Sequence, residues 1–182
     1  VADMAQDLYQ RGYQPPLGDP LWTKGRLAVN CRNTRQIALL LKKIGGAQPA
    51  TACPTGDPVR FVSVRSEQEA LAEVRNLITN HIEFHKRKLS DLVIVCRSAS
   101  ERQKLRGLST DVVVISNWKN RGLEHVACET FRRIKGLEAD HVVVVGFDGD
   151  YLVQELYVAA SRARRTLTII ASPAVGGLVG LA

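Results

Sequence analysis

A doubly wound α/β domain on a mainly parallel sheet is what this sequence predicts, and three observations carry that prediction. Short runs rich in Val and Ile ("VRFVSV", "LVIVC", "VVVIS", "HVVVVG") recur along the chain. They are apolar at successive positions, the pattern of strands covered on both faces. Between most of them lie longer segments of helical period. The length, 182 residues, suits one domain with a sizeable core.

The elements follow in order. "GRLAVN" (25–30) reads as a short strand. "NTRQIALLLKKIGG" reads as a helix with Asn33 as its cap, Ile37, Leu40, Leu41 and Ile44 on one face, and Gly45 and Gly46 as its stop. The stretch 47–58, rich in Pro and Gly, reads as a loop. "VRFVSV" is the next strand. The segment 66–88 is the longest helix, opened by a Ser66/Glu69 capping box and striped by Leu71, Val74, Ile78 and Ile82. "DLVIVCR" is a buried strand, followed by a helix from Ser98 with Glu101 completing a second box. "DVVVIS", "HVACETF" and "DHVVVVGF" are strands. "YLVQELYVAASRA" is a helix that would carry Arg162, Arg164 and Arg165 at its end. "TLTIIAS" is the last strand, and "PAVGGLVGLA" reads as a weakly structured tail. Ligands in such sheets sit beyond the carboxyl ends of the strands, so the turns after strands are the first places to look for a site.

Composition narrows the function classes. Hydrophobic residues make up 45% and charged residues 24%, an ordinary globular balance, and no apolar run approaches a membrane span. The start "VADMAQDLYQ" carries acids and no apolar signal core, which points to a cytoplasmic protein. It begins with Val, which suggests a piece of a longer protein. The net charge of +7 favours polyanionic partners, nucleic acid first, with solubility as the plainer alternative. Cys31, Cys53, Cys96 and Cys128 are widely spaced, with no zinc-like C-x-x-C, and read as reduced thiols with no metal role.

No G-x-x-x-x-G-K-[ST] and no G-x-G-x-x-G occurs, so the chain has no complete phosphate cradle of its own. Three basic clusters remain. "NCRNT" sets Arg32 between a strand end and a helix start, where a guanidinium can fork onto a phosphate. "TFRRIKGLE" gathers Arg132, Arg133 and Lys135 around a turn. "LYVAASRARR" closes on Arg162, Arg164 and Arg165. Taken singly, these also read as a surface arginine, a solvated loop and cations at a helix C-terminus.

In this order and spacing, "NCRN", "TFRRIKGLEADHVVVVG" and "LYVAASRARRTLTII" resemble motifs IV, V and VI of UvrD/Rep-like superfamily 1 DNA helicases, within their second RecA-like domain. The family patterns are N-Y-R-[SN], T-x-H-x-x-K-G-L-E and Y-V-A-x-[ST]-R-A. The resemblance implies a three-layer RecA-like fold without its own Walker A, spanning residues 24–172, with 1–23 as a lead-in and 173–182 as a flexible tail. It implies that Arg32 and Arg162 face the γ-phosphate of ATP, Arg162 as the arginine finger. Gly136 and Glu138 would meet the nucleotide, with Glu138 at the sugar. Thr130, Arg132 and Lys135 would face the nucleic-acid strand. ATP with Mg²⁺ would be shared with an N-terminal RecA-like domain that holds the metal, and single-stranded DNA would be the track. The turn at Lys135 would then couple cleft and track.

This sequence departs from the family at Arg132, where His is usual, and at Cys31, where Tyr is usual; Ser161 replaces the commoner Thr. The interval between Arg32 and Thr130 is filled by predicted α/β elements, leaving no room for a large helical insertion. Translocation or remodelling is therefore favoured over processive unwinding. The rival class is a non-catalytic nucleic-acid or protein-binding module on the same fold. Intact Arg32, Glu138 and Arg162 argue against it. A flavodoxin-type mononucleotide domain ranks last, since "NCRNTRQ" lacks a Gly-, Ser- or Thr-rich phosphate loop.

Overall fold

The computed structural model describes residues 29–83, 87–120 and 122–181. Six strands form one sheet in the order β3-β8-β7-β4-β6-β5: β3 (Arg60–Ser63), β4 (Leu92–Cys96), β5 (Val114–Ser116), β6 (His125–Thr130), β7 (Ala139–Val145) and β8 (Ala163–Ala171). Every ladder in it is parallel. The central strands are apolar on both sides because both are covered. Val93, Val95, Val142 and Val144 pack with helices α1 (Arg35–Lys43), α4 (Val153–Ala160) and α5 (Pro173–Val179). Ile94, Cys96, Val143 and Val145 pack with α2 (Glu67–Glu83) and α3 (Ala99–Arg106). The predicted α/β architecture holds.

Local chemistry explains the element boundaries. In α1, Ile37, Leu40, Leu41 and Ile44 are all buried, and the chain leaves the helix through Gly45 at φ +99°. In α3, Ser98 Oγ accepts from the Glu101 amide while Glu101 accepts from the Ser98 amide, the predicted box. In α2, Ser66 caps the Glu69 amide, but Glu69 reaches the Arg65 amide instead of that of Ser66. Buried Val74 and Ile78 and half-buried Leu71 and Ile82 form its stripe. Cys96 and Cys128 lie buried on neighbouring strands as free thiols. Contact with Cys128, then burial, keeps the Cys96 thiol protonated.

Several expectations are corrected. Of the strand read at 25–30, only β1 (Val29–Asn30) lies within the described residues; it stands outside the main sheet and pairs with β2 (Gln48–Pro49), in a stretch read as loop. The lead-in 1–23 and the end of the second helix at 84–86 lie outside the described residues. β5 starts only at Val114, because Thr110 Oγ1 takes the Val112 and Val113 amides into a turn. The tail read as weakly structured is helix α5. Pro173 starts it, buried Val175 and Val179 hold it, and Gly180 ends it at φ +65°. Its glycines disfavour helix, and packing overrides them. No described helix is long and apolar enough to cross a membrane.

Between α2 and the amino halves of β7 and β8 opens a cavity of about 500 Å³, whose lining includes Asn80, His81, Arg87, His141 and Thr166. His141 Nδ1 lies 2.7 Å from Thr166 Oγ1 and 3.3 Å from Arg87 Nη1, and its ring meets His81 edge-on at 5.2 Å. Burial first, then Arg87 and His81, lower its pKa from 6.5 to about 4, against smaller raising effects of Asp140 and Asp91. The folded chain thus favours the neutral ring. Its contribution to stability is complete above pH 6.5 and is lost as pH falls from there to about 4. The loss reaches at most about 3 kcal/mol. Urea melts at pH 7.5 and 4.5 should show a smaller acid loss in His141→Gln than in wild type; equal losses would contradict this account.

Candidate nucleotide and nucleic-acid interface

The sequence-predicted residues divide between the two edges of the sheet. Thr130 ends β6, level with Cys96 of β4 and hence with Val145 of β7, at the carboxyl edge. Glu138 immediately precedes β7, and Arg162 immediately precedes β8, whose Ala163 pairs with Ala139 at the amino edge. At strand rise, the seven residues of β7 set these edges about 20 Å apart. The carboxyl ends of the strands therefore hold Thr130 but neither Glu138 nor Arg162.

The link between the edges is the crossover 131–138. It begins with a helical turn in which the Arg133 and Ile134 amides donate to Thr130 O. Phe131 and Ile134 bury against the α1/α4 face, and Leu137 packs there in part. Gly136 holds φ +87°. A Cβ there would meet nothing within 4 Å, so backbone conformation alone calls for glycine. Lys135 and Gly136 are exposed.

At the amino edge, Arg32 Nε lies 3.0 Å from Glu138 Oε1, the two side chains 49% and 34% exposed. Asn33 does not cap α1. Thr34 takes the cap position, and the Asn33 side chain donates through Nδ2 to the carbonyls of Ser161 and Ala163, fastening the Arg32 segment beside Arg162. Arg162 is 2% exposed. Its Nε donates to Val158 O at 3.0 Å, Nη1 to Leu137 O at 3.3 Å and Nη2 to Ser161 Oγ at 2.7 Å. A cation beyond the last turn of α4 is favoured by the helix dipole. Arg164 and Arg165, read as helix-end residues, lie instead on β8 and pair with Asp140 at 2.9 and 3.7 Å. The β7–β8 ladder begins at Ala163 and takes these residues from the helix. Arg32 and Glu138 thus offer a partly exposed guanidinium and carboxylate paired with each other, whereas Arg162 is buried on at least three acceptors.

The carboxyl edge holds what sequence reading missed. Glu101, fully buried, accepts four backbone amides: those of Arg97 and Ser98 after β4 at 2.8 and 3.1 Å, and those of Phe147 and Asp148 after β7, both at 2.7 Å. Convergent amides beyond parallel strands are an anion cradle, and here the chain's own carboxylate occupies it. Tyr151 closes the same end, its hydroxyl near the Val95 and Val145 carbonyls and its ring where a Cβ on Gly146 would fall. Burial raises its pKa well above the usual tyrosine range. Glu129, 3% exposed, faces Arg102, Arg106 and Arg133. Arg132 lies over the Phe131 ring at 4.7 Å and 3.9 Å from Glu155. The capping pattern at Glu101 was the one signal in the sequence for this cradle.

A parallel α/β domain whose convergent amides at the carboxyl edge are taken by its own Glu101, with cationic groups presented at both edges, is the class that fold and site define. Residues 125–170 match the family model of the UvrD-like helicase C-terminal domain. The fold matches the crystal structure of the C-terminal domain of a possible DNA helicase from Lactobacillus plantarum WCFS1, with TM-score 0.63, 23% identity and coverage of 81% of this chain and 91% of that one. An Arterivirus nonstructural protein 10 (helicase) structure aligns at TM-score 0.36 and 18% identity, over 84% of this chain and 27% of that one. No curated protein matches. The family match is confined to residues 125–170, and the structural likeness extends to the fold.

Proposed function

We propose that this chain is the second motor domain of an ATP-dependent DNA helicase or translocase, occupying residues 24–172. It would supply arginines to a nucleotide held by an N-terminal RecA-like domain, and part of the track for single-stranded DNA. The observation that carries the reading is the crossover 131–138, which runs from Thr130 at one edge to Glu138 at the other within a single packed segment. Such a segment transmits displacement between a strand contact and a nucleotide contact, as coupling requires. Bound ATP with Mg²⁺ would supply the phosphoryl group and the hydrolysis. In this chain, Arg32 orients a terminal phosphate and stabilises charge on it, Glu138 holds the sugar once released from Arg32, and Gly136 permits the turn. Thr130, Arg132 and Lys135 bear on the strand.

The pairing of Arg32 with Glu138 and the burial of Arg162 favour the second reading, a nucleic-acid or protein-binding module without turnover. Hydrolysis by the parent protein, with and without single-stranded DNA, separates the two. Strand-stimulated turnover that falls about a hundredfold or more in Arg32→Ala is the expected result. Absent turnover, or turnover indifferent to Arg32, rejects the motor and leaves the binding module.

A further inference from the structure

We propose that Glu129 is a positioning residue that holds Arg102, Arg106 and Arg133 as a contact for the phosphate backbone of a nucleic-acid strand; the inference rests on the nucleic-acid reading above. Glu129 Oε2 lies 3.3 Å from Arg102 Nη1 and 3.2 Å from Arg133 Nε, and Oε1 lies 3.7 Å from Arg106 Nη2. The Trp118 amide donates to Oε1 at 3.1 Å. One buried carboxylate thus joins α3, the crossover and the turn after β5, all beside Thr130.

Neutralising that acid needs one cation, and three are present, which leaves a surplus of two positive charges. The guanidiniums also keep open faces. The side chains of Arg133, Arg106 and Arg102 are 60%, 29% and 20% exposed. Arg106 Nη2 also donates to Cys128 O at 2.9 Å. An ordered set of forked donors with spare capacity at the end of β6 suits successive phosphates on one strand. The carboxylate fixes the side chains that would otherwise lose rotamer freedom on binding.

The test is binding of this chain to fluorescein-labelled single-stranded oligo(dT) of about 20 nucleotides across a salt series. Arg133→Gln and Arg102→Gln should each flatten the slope of log K against log salt by about 0.7, the value of one lost phosphate contact on a single strand. Glu129→Gln adds a positive charge, so bulk electrostatics requires tighter binding. Loss of positioning requires weaker binding, by about tenfold. Tighter or unchanged binding by Glu129→Gln overturns the proposal. Should that variant not fold, the arginine variants decide, since Arg133 is largely exposed and its replacement should leave melting unchanged. Wild-type binding with slopes unchanged in both arginine variants overturns the proposal and leaves the nucleic-acid reading standing. No binding by wild type removes both.

Discussion

Glu101→Ala is expected to destabilise the chain by about 4 kcal/mol, enough to abolish folding if the domain has ordinary marginal stability. The four amides that converge on Glu101 have no other described acceptor, and the carboxylate itself is fully buried. Each buried donor left unmade costs about 1–3 kcal/mol, partly recovered if water enters the space. The effect also spreads, because Glu101 bridges the loops after β4 and β7, which otherwise meet through Arg97 Nη1 on Asp148 O and Ser98 Oγ on Asp148 Oδ2. Glu101→Gln should be nearly as damaging. Its carboxamide oxygen serves one pair of amides, while its NH₂ faces the other pair donor to donor. Urea unfolding checks both variants, and a loss below about 1 kcal/mol in Glu101→Ala would show that the cradle does not depend on its occupant.

With Glu101 in place, these four amides at the carboxyl edge are closed to a phosphate. In parallel sheets that edge is where ligands are taken up, because strand ends and loop amides converge there. Here the amides are spent on a side chain from α3. What remains accessible at that edge is cationic side chain, while the partly exposed ion pair of Arg32 and Glu138 lies at the opposite edge.

The apolar runs made the sheet and its parallel sense legible in the sequence, since Val93, Val95, Val142 and Val144 face one core and Ile94, Val143 and Val145 the other. The Ser98/Glu101 box was legible as a cap, but its second pair of amides comes from the loop after β7, far along the chain, which no local pattern reveals. Asn33 looked like a cap by spacing and was claimed by the carbonyls of Ser161 and Ala163, a long-range contact. Helix α5 was hidden because Gly176 and Gly177 depress local propensity while Val175 and Val179 are buried. The motif residues could be named from the sequence, but their division between two edges could not. A crossover of eight residues without a full helix places Thr130 and Glu138 apart while sequence places them together.

Arg162→Ala in the parent protein is expected to lower strand-stimulated ATP hydrolysis by about three to five orders of magnitude if the arginine acts as a finger. Its geometry makes the outcome informative. The guanidinium is held by Val158 O, Leu137 O and Ser161 Oγ, so reaching a phosphate requires the crossover end at Leu137 or the α4 terminus to release it. Breaking these bonds also costs stability, about 1–3 kcal/mol for a buried charged donor. Turnover must therefore be read beside a melting curve. Arg162→Lys sharpens the comparison, because it keeps the charge and loses the fork that serves three acceptors at once. A finger predicts that both variants lose turnover far beyond any change in nucleotide or strand affinity. If melting falls in both variants while turnover of the folded fraction is preserved, Arg162 only fixes the backbone at Leu137 and Glu138, and Arg32 remains as the arginine that meets the phosphate.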